Sequence, residues 1–351
     1  MDPYAAALEH EQLLIRRGTR SGLFTMVAVH STARGPSLGG CRMWRYDDAR
    51  SAMRDALRLS RAMTYKSAVA GLPLGGGKGV IMLRPDTVLT PRVRRAALED
   101  FADTVAALDG AYIAAEDVGT SARDMDTIAG RTEHVAGRAA RHGGSGDPSP
   151  FTAIGVEAAV LASVESVFGS ASLKGRSVAV VGLGHVGLRV ARLLARRGAT
   201  LLANDIDPAR RVDAAKLGAR WVTAAEALGA PVDVYCPCAL GGILDHDTAG
   251  VVQAPVIAGA ANNQLAADDV AELLRGRSIL WAPDFVANAG GIINIAHELR
   301  PGGYAKAAAT ADVRRVGDTL RAIYAEAAAR EQTPLAAALA LGERRLAEAP
   351  A

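Results

Sequence analysis

The stretch Gly71–Gly79, GLPLGGGKG, runs three consecutive glycines, Gly75, Gly76 and Gly77, into Lys78. Glycine frees the backbone for positive φ and for close approach to a ligand. A lysine held behind such a segment loses water, and desolvation lowers an ammonium pKa. A lysine tuned that way serves as a base near neutral pH. A flexible turn with a solvated lysine would give the same letters, so the neighbours decide. Lys66 closes the segment Met63-Thr64-Tyr65-Lys66, and Ala115-Glu116-Asp117-Val118-Gly119-Thr120 sets an acid before a glycine turn. Two lysines and an aspartate suit a site that holds a carboxylate and moves protons. The ordinary alternative is salt bridges for the lysines and a helix or turn cap for Asp117.

A second constellation begins at Ser177–Val181, a short apolar strand. Gly182-Leu183-Gly184-His185-Val186-Gly187 follows, then an amphipathic helix to about Arg197 and a strand Thr200–Ala203 ending at Asn204-Asp205. This is GxGxxG between strand and helix, with an acid well beyond it, the arrangement that binds a dinucleotide. Gly182, Gly184 and Gly187, with His185 and Val186 between them, would bring a pyrophosphate to the helix N-terminus, whose amides favour an anion. Asp205 would hold the adenosine ribose and repel a 2′-phosphate, which favours NAD over NADP; Arg210 and Arg211 work slightly against that. Val232–Tyr235, Val256–Ala258 and Ile279–Trp281 read as further short strands, each running into a small-residue loop: PCALGG, GAANNQ and PDFVANAGG. In a doubly wound sheet such loops line the cofactor crevice, which places Cys238, Ala239, Ala260, Asn262 and Asn288 against the cofactor.

The positioning elements follow from periodicity. Two apolar runs within 11–31, around Gly18 and Gly22, predict a β-hairpin. Residues 34–42 read as a turn-rich loop. Ala49–Met63 has helical spacing, with Asp47 or Asp48 as cap, and would deliver Lys66 just past its end. Thr90-Pro91 opens the next helix, with Ala97, Phe101, Val105 and Leu108 on its apolar face. Tyr112–Ala115 reads as a strand presenting Asp117. Residues 137–151, GRAARHGGSGDPSPF, form the sharpest composition break and mark the expected domain crossing; the helix beginning around Thr152 would span the hinge. Residues 305–331 and 335–348 read as alanine-rich helices.

Composition sets the frame. With 351 residues, two domains are the natural expectation, and 50% hydrophobic against 22% charged residues is ample for two cores. A formal charge of +3, with scattered arginines and no basic stripe interleaved with aromatics, argues against nucleic acid. No uninterrupted apolar run is long enough to span a membrane, and the acidic N-terminus lacks a secretory core. Cys41, Cys236 and Cys238 offer no second pair for a zinc site. The expectation is a cytoplasmic protein with reduced cysteines and no metal.

Ten segments together resemble one family: GPSLGG (35–40), AMTYK (62–66), GLPLGGGKG (71–79), AEDVGT (115–120), DMD (124–126), FTAIGV (151–156), VGLGHVG (181–187), PCALGG (237–242), GAANNQLA (259–266) and APDFVANAGGIIN (282–294). In this order they are similar to the glutamate/leucine/phenylalanine/valine dehydrogenases, above all the branch acting on apolar amino acids, including the actinobacterial valine and phenylalanine enzymes. The resemblance implies an α/β fold of two domains separated by a cleft. Residues 1–136 would form a substrate-binding, catalytic domain, joined by C-terminal helices over about 315–351. Residues 137–314 would form a Rossmann-type doubly wound NAD-binding domain. It implies reversible oxidative deamination: an L-amino acid, NAD+ and water give a 2-oxo acid, ammonium and NADH.

The same resemblance implies roles. Lys66 pairs with the substrate carboxylate, helped by the backbone at Gly39 and Gly40. Lys78 is the general base that activates water, with Lys66 as the neighbouring cation that favours its neutral form. Asp117 shuttles a proton to and from the amine. Asn262 contacts cofactor and substrate, and Thr152 holds the nicotinamide carboxamide. Glutamate-specific relatives carry a lysine where this chain has Leu38, so an acidic side chain would be buried unpaired here. Leu38, Ala115, Ile292 and Ile295 are the apolar pocket candidates, with core packing as their alternative role. Cys41 replaces a usual threonine. Valine or leucine is the expected substrate, phenylalanine the runner-up, and a homo-oligomer the expected state. A 2-hydroxy-acid dehydrogenase or a non-catalytic NAD-binding protein are the more distant alternatives.

Overall fold

Residues 8–348 are described by a computed structural model. Contacts divide the chain into two compact units. Unit one holds the residues up to Asp147, with Ile295–Lys306 and the residues from Gly342; unit two holds Pro148–Asn294 and Ala307–Leu341. The crossing falls at Asp147/Pro148, inside the 137–151 composition break. Of the C-terminal segment 315–351, only the residues from Gly342 rejoin unit one.

Unit one is a sheet covered on both faces. Its elements are β1 (Gln12–Arg17), β2 (Phe24–Ser31), β3 (Ser37–Arg45), α1 (Ala49–Val69), β4 (Gly75–Leu83), α2 (Pro91–Ala106), β5 (Tyr112–Glu116) and α3 (Ala122–Ala129). The strand order is β1-β2-β4-β3-β5. β1 and β2 form the expected antiparallel hairpin, with Gln12 opposite Val29. β4, β3 and β5 run parallel. Helix α1 starts where Asp48 accepts a hydrogen bond from the Ser51 amide and sets Ala52, Ala56 and Leu57 against Met26, Ala28, Val80 and Met82. Helix α2 is capped by Thr90 with Pro91 in its first turn and packs Ala97, Leu98, Phe101 and Val105 on the other face, against Val27, Ile81 and Tyr112.

Three sequence expectations change here. Residues 34–42 and 71–79 are not loops throughout: Ser37 and Gly75 already begin strands β3 and β4. Helix α1 runs to Val69, so Lys66 lies in its last turn rather than past its end. The buried small residues Thr64, Ser67 and Ala68 prolong the helical stripe, and Gly71, at φ +71, ends it.

The glycines of β4 act through space, not through backbone angle. None of Gly75, Gly76, Gly77 and Gly79 has positive φ. A Cβ on Gly76 would lie 2.0 Å from the Thr64 amide nitrogen of α1, and one on Gly77 would lie 2.5 Å from the Tyr112 ring. The strand is pressed between a helix and an aromatic ring at positions where only hydrogen fits. Gly76→Ala should therefore lower stability by roughly 3 kcal/mol, the upper end of overpacking penalties, because helix backbone and not a flexible side chain must move. Chemical denaturation checks this; an unchanged midpoint would refute the packing argument.

Unit two contains α4 (Ser149–Phe168), β6 (Ser177–Val181), α5 (Gly187–Arg196), β7 (Thr200–Asn204), α6 (Arg211–Lys216), β8 (Arg220–Trp221), α7 (Ala224–Leu228), β9 (Val234–Pro237), α8 (His246–Val251), β10 (Val256–Ile257), α9 (Val270–Gly276), β11 (Leu280–Trp281) and α10 (Asp284–Ala287). Helix α11 (Gly290–Ala296) crosses to unit one. α12 (Lys306–Arg314), α13 (Val316–Ala329) and α14 (Pro334–Ala347) follow. The alanine-rich segment 305–331 is thus two helices. The sheet order is β11-β10-β9-β6-β7-β8, all parallel. Read from the other edge, this is the doubly wound order in which the chain reverses direction between β6 and β9, where dinucleotides bind at strand carboxyl ends.

Helix α4 is long and apolar enough to cross a membrane by length and composition. It is instead a core helix of unit two, where Ser163 Oγ meets the Tyr324 hydroxyl of α13 at 2.7 Å.

Candidate active site

In unit one, β3, β4 and the turn after β5 bring three charged side chains together. Strand side chains alternate, so Leu38, Gly40 and Arg42 share one face of β3. Lys78 projects from β4, two strand positions beyond Gly76. Asp117 follows β5 directly. Lys78 Nζ donates to Asp117 Oδ2 at 2.7 Å, and Arg42 Nε donates to the same oxygen at 2.9 Å. A Cβ on Gly40 would lie 2.6 Å from the Asp117 Cβ, so glycine there leaves room for the carboxylate. Thr120 fixes the turn: its Oγ1 accepts from the Asp117 amide and donates to the Cys41 carbonyl at 2.8 Å.

The electrostatics are lopsided. Lys78 is 4% exposed. Burial is the main force holding its pKa below the ordinary lysine value; Arg42 adds to this and Asp117 opposes it. Burial pushes the Asp117 carboxyl up, but Lys78 and Arg42 more than offset it, and its pKa lies below the usual range. The pair is thus an ionised aspartate beside a lysine whose charged form is disfavoured. Arg42 is a cation that lowers the Lys78 pKa. Lys66 is half-buried in α1.

Arg42 was not among the expected site residues, nor was the network behind it. Its Nη1 donates to Asp55 Oδ2 at 2.9 Å, and Asp55 also accepts from Tyr46 and Arg58. The signal available in the sequence was the two-residue step from Gly40 to Arg42, which shows only if 34–42 is recognised as strand. Glu116, the acid beside Asp117, was also passed over. Burial, with Asp147 nearby, pushes its carboxyl up to about 7.

The remaining substrate candidates are apolar. Leu38 and Ala115 are buried in β3 and β5. Gly39 has its carbonyl bonded by the Tyr112 hydroxyl at 2.6 Å, and a Cβ there would meet the Gly77 carbonyl at 1.7 Å. Cys41 is buried in the core with Met43 and Ile81, and its carbonyl accepts from Thr120 Oγ1. Ile292 and Ile295 are both buried on α11, but the unit division falls between them.

A pH test follows. If neutral Lys78 limits activity, removing the Arg42 charge should raise the Lys78 pKa and move the acid limb of kcat/KM to higher pH. Arg42→Leu is expected to show that shift and Arg42→Lys to restore most of it. A limb that stays fixed in Arg42→Leu but vanishes in Glu116→Gln belongs to Glu116 instead.

In unit two the three glycines after β6 do different work. Gly182 takes φ +98. Gly184 faces open space within 4 Å, as a seat for a pyrophosphate requires. Gly187 backs onto the Gly182 carbonyl, 1.9 Å from where a Cβ would be. His185 is exposed and Val186 half-buried between them. Asp205 accepts from the Leu183 amide at 2.5 Å and from the Asp207 amide at 2.8 Å, which turns its carboxylate toward the glycine turn. Arg210 is engaged by Asp207 and Asp213, and Arg211 stacks over Trp221.

Opposite the turn, Ala239 is exposed and Cys238 half-buried after β9. Asn288 Nδ2 donates to Asn262 Oδ1 at 2.8 Å and to the Ala260 carbonyl at 3.2 Å. Asn288 Oδ1 is buried without a partner, an acceptor suited to an amide or hydroxyl of a bound ligand. Thr152, in the first turn of α4, packs on Gly291, where a Cβ would lie 2.9 Å from its Oγ1. An open glycine turn, an oriented carboxylate and an orphaned acceptor fit a dinucleotide. Among the described residues no group of histidine, cysteine or carboxylate side chains could hold a metal ion.

Comparison with known proteins agrees in both units. A family model described as Glu/Leu/Phe/Val dehydrogenase, dimerisation domain, matches residues 12–134, and one described as Glutamate/Leucine/Phenylalanine/Valine dehydrogenase matches residues 205–351. The chain belongs to the Glu/Leu/Phe/Val dehydrogenase family. It is 42% identical to leucine dehydrogenase of Geobacillus stearothermophilus over 92% of this chain and 86% of that one. It is also 42% identical to valine dehydrogenase of Streptomyces virginiae, over 97% of this chain and 94% of that one. The crystal structure of L-tryptophan dehydrogenase from Nostoc punctiforme superposes with a TM-score of 0.83 at 37% identity, covering 97% of each chain. The charged cluster lies in the part matched to the first family domain, and Asp205, Asn262 and Asn288 lie in the part matched to the second.

Proposed function

We propose that this dehydrogenase catalyses the NAD-dependent oxidative deamination of a branched-chain L-amino acid to its 2-oxo acid and ammonium, with valine or leucine favoured. The observation that carries the reading is the buried Lys78–Asp117 pair at 2.7 Å, with Arg42 on the same carboxylate. A nicotinamide dinucleotide, when bound, supplies the hydride acceptor.

The chain's own residues do the rest. Lys66 binds the substrate carboxylate together with backbone at Gly39 and Gly40. Lys78, neutral at Nζ, takes a proton from the water that attacks the substrate imine. Asp117 passes a proton to and from the departing amine. In the second unit, Gly182, Gly184 and Gly187 seat the pyrophosphate, Asp205 binds the adenosine ribose, and Asn262, Asn288 and Thr152 hold the nicotinamide end. Engagement of Arg210 and Arg211 elsewhere supports NAD over NADP.

Leu38 and Ala115, both buried and apolar, support an aliphatic side chain over an acidic one. The names of the relatives, leucine and valine dehydrogenases at 42% identity, point the same way. The description of the first family domain as a dimerisation domain supports a homo-oligomer.

The deciding experiment follows NADH formation with valine, leucine, phenylalanine and glutamate, then repeats the best substrate with NADP. Branched aliphatics should lead, valine first and in graded order, since one methylene in a hydrophobic pocket is worth about 1–3 kcal/mol. NAD should exceed NADP in kcat/KM. Preference for phenylalanine would mean a deeper pocket in the same enzyme; preference for glutamate would overturn the substrate reading, and equal use of both cofactors would overturn the role of Asp205.

A further inference from the structure

The dinucleotide crevice of unit two holds two groups that amino acid oxidation does not use. Cys236 and Cys238 flank Pro237 at the carboxyl end of β9. Residues two apart on a strand face the same side, and these sulfurs lie 3.7 Å apart. Cys236 is fully buried, Cys238 is half-buried, and both are free thiols. The third cysteine, Cys41, is buried in unit one.

The two thiols are chemically unequal. The two sulfurs share a contact in which either could be the donor; that contact, with the Ala260 amide, holds the Cys238 thiol below its ordinary pKa. The same contact, with burial, raises Cys236. The half-buried residue, Cys238, is the one inclined to the thiolate, and the fully buried one, Cys236, the one held protonated, which is the order of an attacking and a resolving thiol. Cys238 is also built into the cofactor turn. A Cβ on Gly187 would lie 2.9 Å from the Cys238 Cβ, and one on Gly182 would lie 2.8 Å from its carbonyl carbon. Cys238 therefore lies beside the glycine turn, where a shift in its position or added atoms would bear on that turn.

We propose that Cys238 and Cys236 form a peroxide-sensitive thiol pair whose disulfide closes the crevice to the dinucleotide. The Cys238 thiolate attacks one oxygen of hydrogen peroxide; the O–O bond breaks, hydroxide leaves, and Cys238 becomes a sulfenic acid. Cys236 then gives its proton to that hydroxide and attacks the Cys238 sulfur. The S–O bond breaks, the departing oxygen takes a proton from solvent to leave as water, and the solvent proton is the one released when Cys238 ionised. In sum two thiols lose two hydrogens, and one peroxide becomes two waters. The sulfurs must approach from 3.7 Å to about 2 Å, the length of a disulfide bond, and that movement shifts the Cys238 side chain beside the glycine turn.

The test treats the reduced full-length enzyme with hydrogen peroxide and reads peptide masses, NAD binding and NADH formation. The expected result is loss of two hydrogens in the peptide holding both cysteines, loss of NAD binding, and recovery of both with dithiothreitol. Cys236→Ser and Cys236→Ala, used in parallel so that a folding defect in one does not mask the result, should form no intramolecular disulfide and leave Cys238 as a sulfenic acid trapped by dimedone. Absence of the intramolecular disulfide in the parent, or Cys236 variants whose Cys238 gives no dimedone adduct, would overturn the thiol pair. The link to the cofactor rests on the dinucleotide reading above and has its own arm. NAD at about ten times its Kd should slow oxidation about 10-fold by occupancy. A disulfide that forms at the same rate with NAD and leaves NAD binding intact would overturn closure of the crevice while the thiol chemistry stands.

Discussion

Lys78→Ala should lower turnover by at least about 10²-fold, the lower range for loss of a general base, while NAD binding stays within a few-fold of the parent. The two parts have separate reasons. Lys78 Nζ is buried, and burial is what disfavours its charge, so the side chain is suited to accept a proton and poorly suited to be a structural cation. The dinucleotide crevice belongs to the other unit and shares no residue with it. The fold should survive, because Asp117 keeps its second cationic partner, Arg42, at 2.9 Å. Lys78→Met, which keeps most of the apolar volume, provides the control for packing. If either variant turns over within a few-fold of the parent, Lys78 is a salt-bridge residue and the base lies elsewhere.

The sequence led to Lys78 and Asp117 by a route that was partly wrong in its physics. GGGK was read as a segment whose glycines free the backbone for positive φ and for a ligand, because that is the default use of glycine. The structure uses the same glycines as gaps in a strand, with Thr64 of α1 on one side of Gly76 and Tyr112 beside Gly77. Local composition cannot distinguish these uses, since the second depends on elements packed from elsewhere in the chain. The same limit hid Arg42. Its partners Asp55 and Asp117 are remote in sequence, and only the parallel register of β3 with β4 and β5 brings it beside Lys78 and Asp117.

Unit two was easier to read. Its strand–GxGxxG–helix signal is local, and the structure returns β6, Gly182–Gly187, α5 and Asp205 where the spacing predicts them. What the pattern could not give was the state of the loop side chains. That Asn288 holds Asn262 and leaves its own Oδ1 unpartnered, and that Cys236 and Cys238 meet at 3.7 Å, are facts of packing.

Asp117→Asn should have two effects of different kind. Asparagine keeps the shape of the side chain and removes its charge. The parent carboxylate is ionised because Lys78 and Arg42 more than offset its burial, and in return it favours the charged form of Lys78. Without it, Lys78 loses an anion at 2.7 Å and keeps the disfavouring Arg42, so it gives up its proton more readily. The acid limb of kcat/KM should then move to lower pH, opposite in sign to the shift expected for Arg42→Leu. At the same time the substituted amide cannot carry a proton to and from the amine, and turnover at the pH optimum should fall by about 10²–10⁴-fold, the usual worth of acid–base catalysis. The two readouts separate the roles. A shifted limb with near-parental turnover would make Asp117 a residue that only tunes Lys78. A large loss of turnover with an unmoved limb would mean that the carboxylate acts on the substrate without setting the charge of the base.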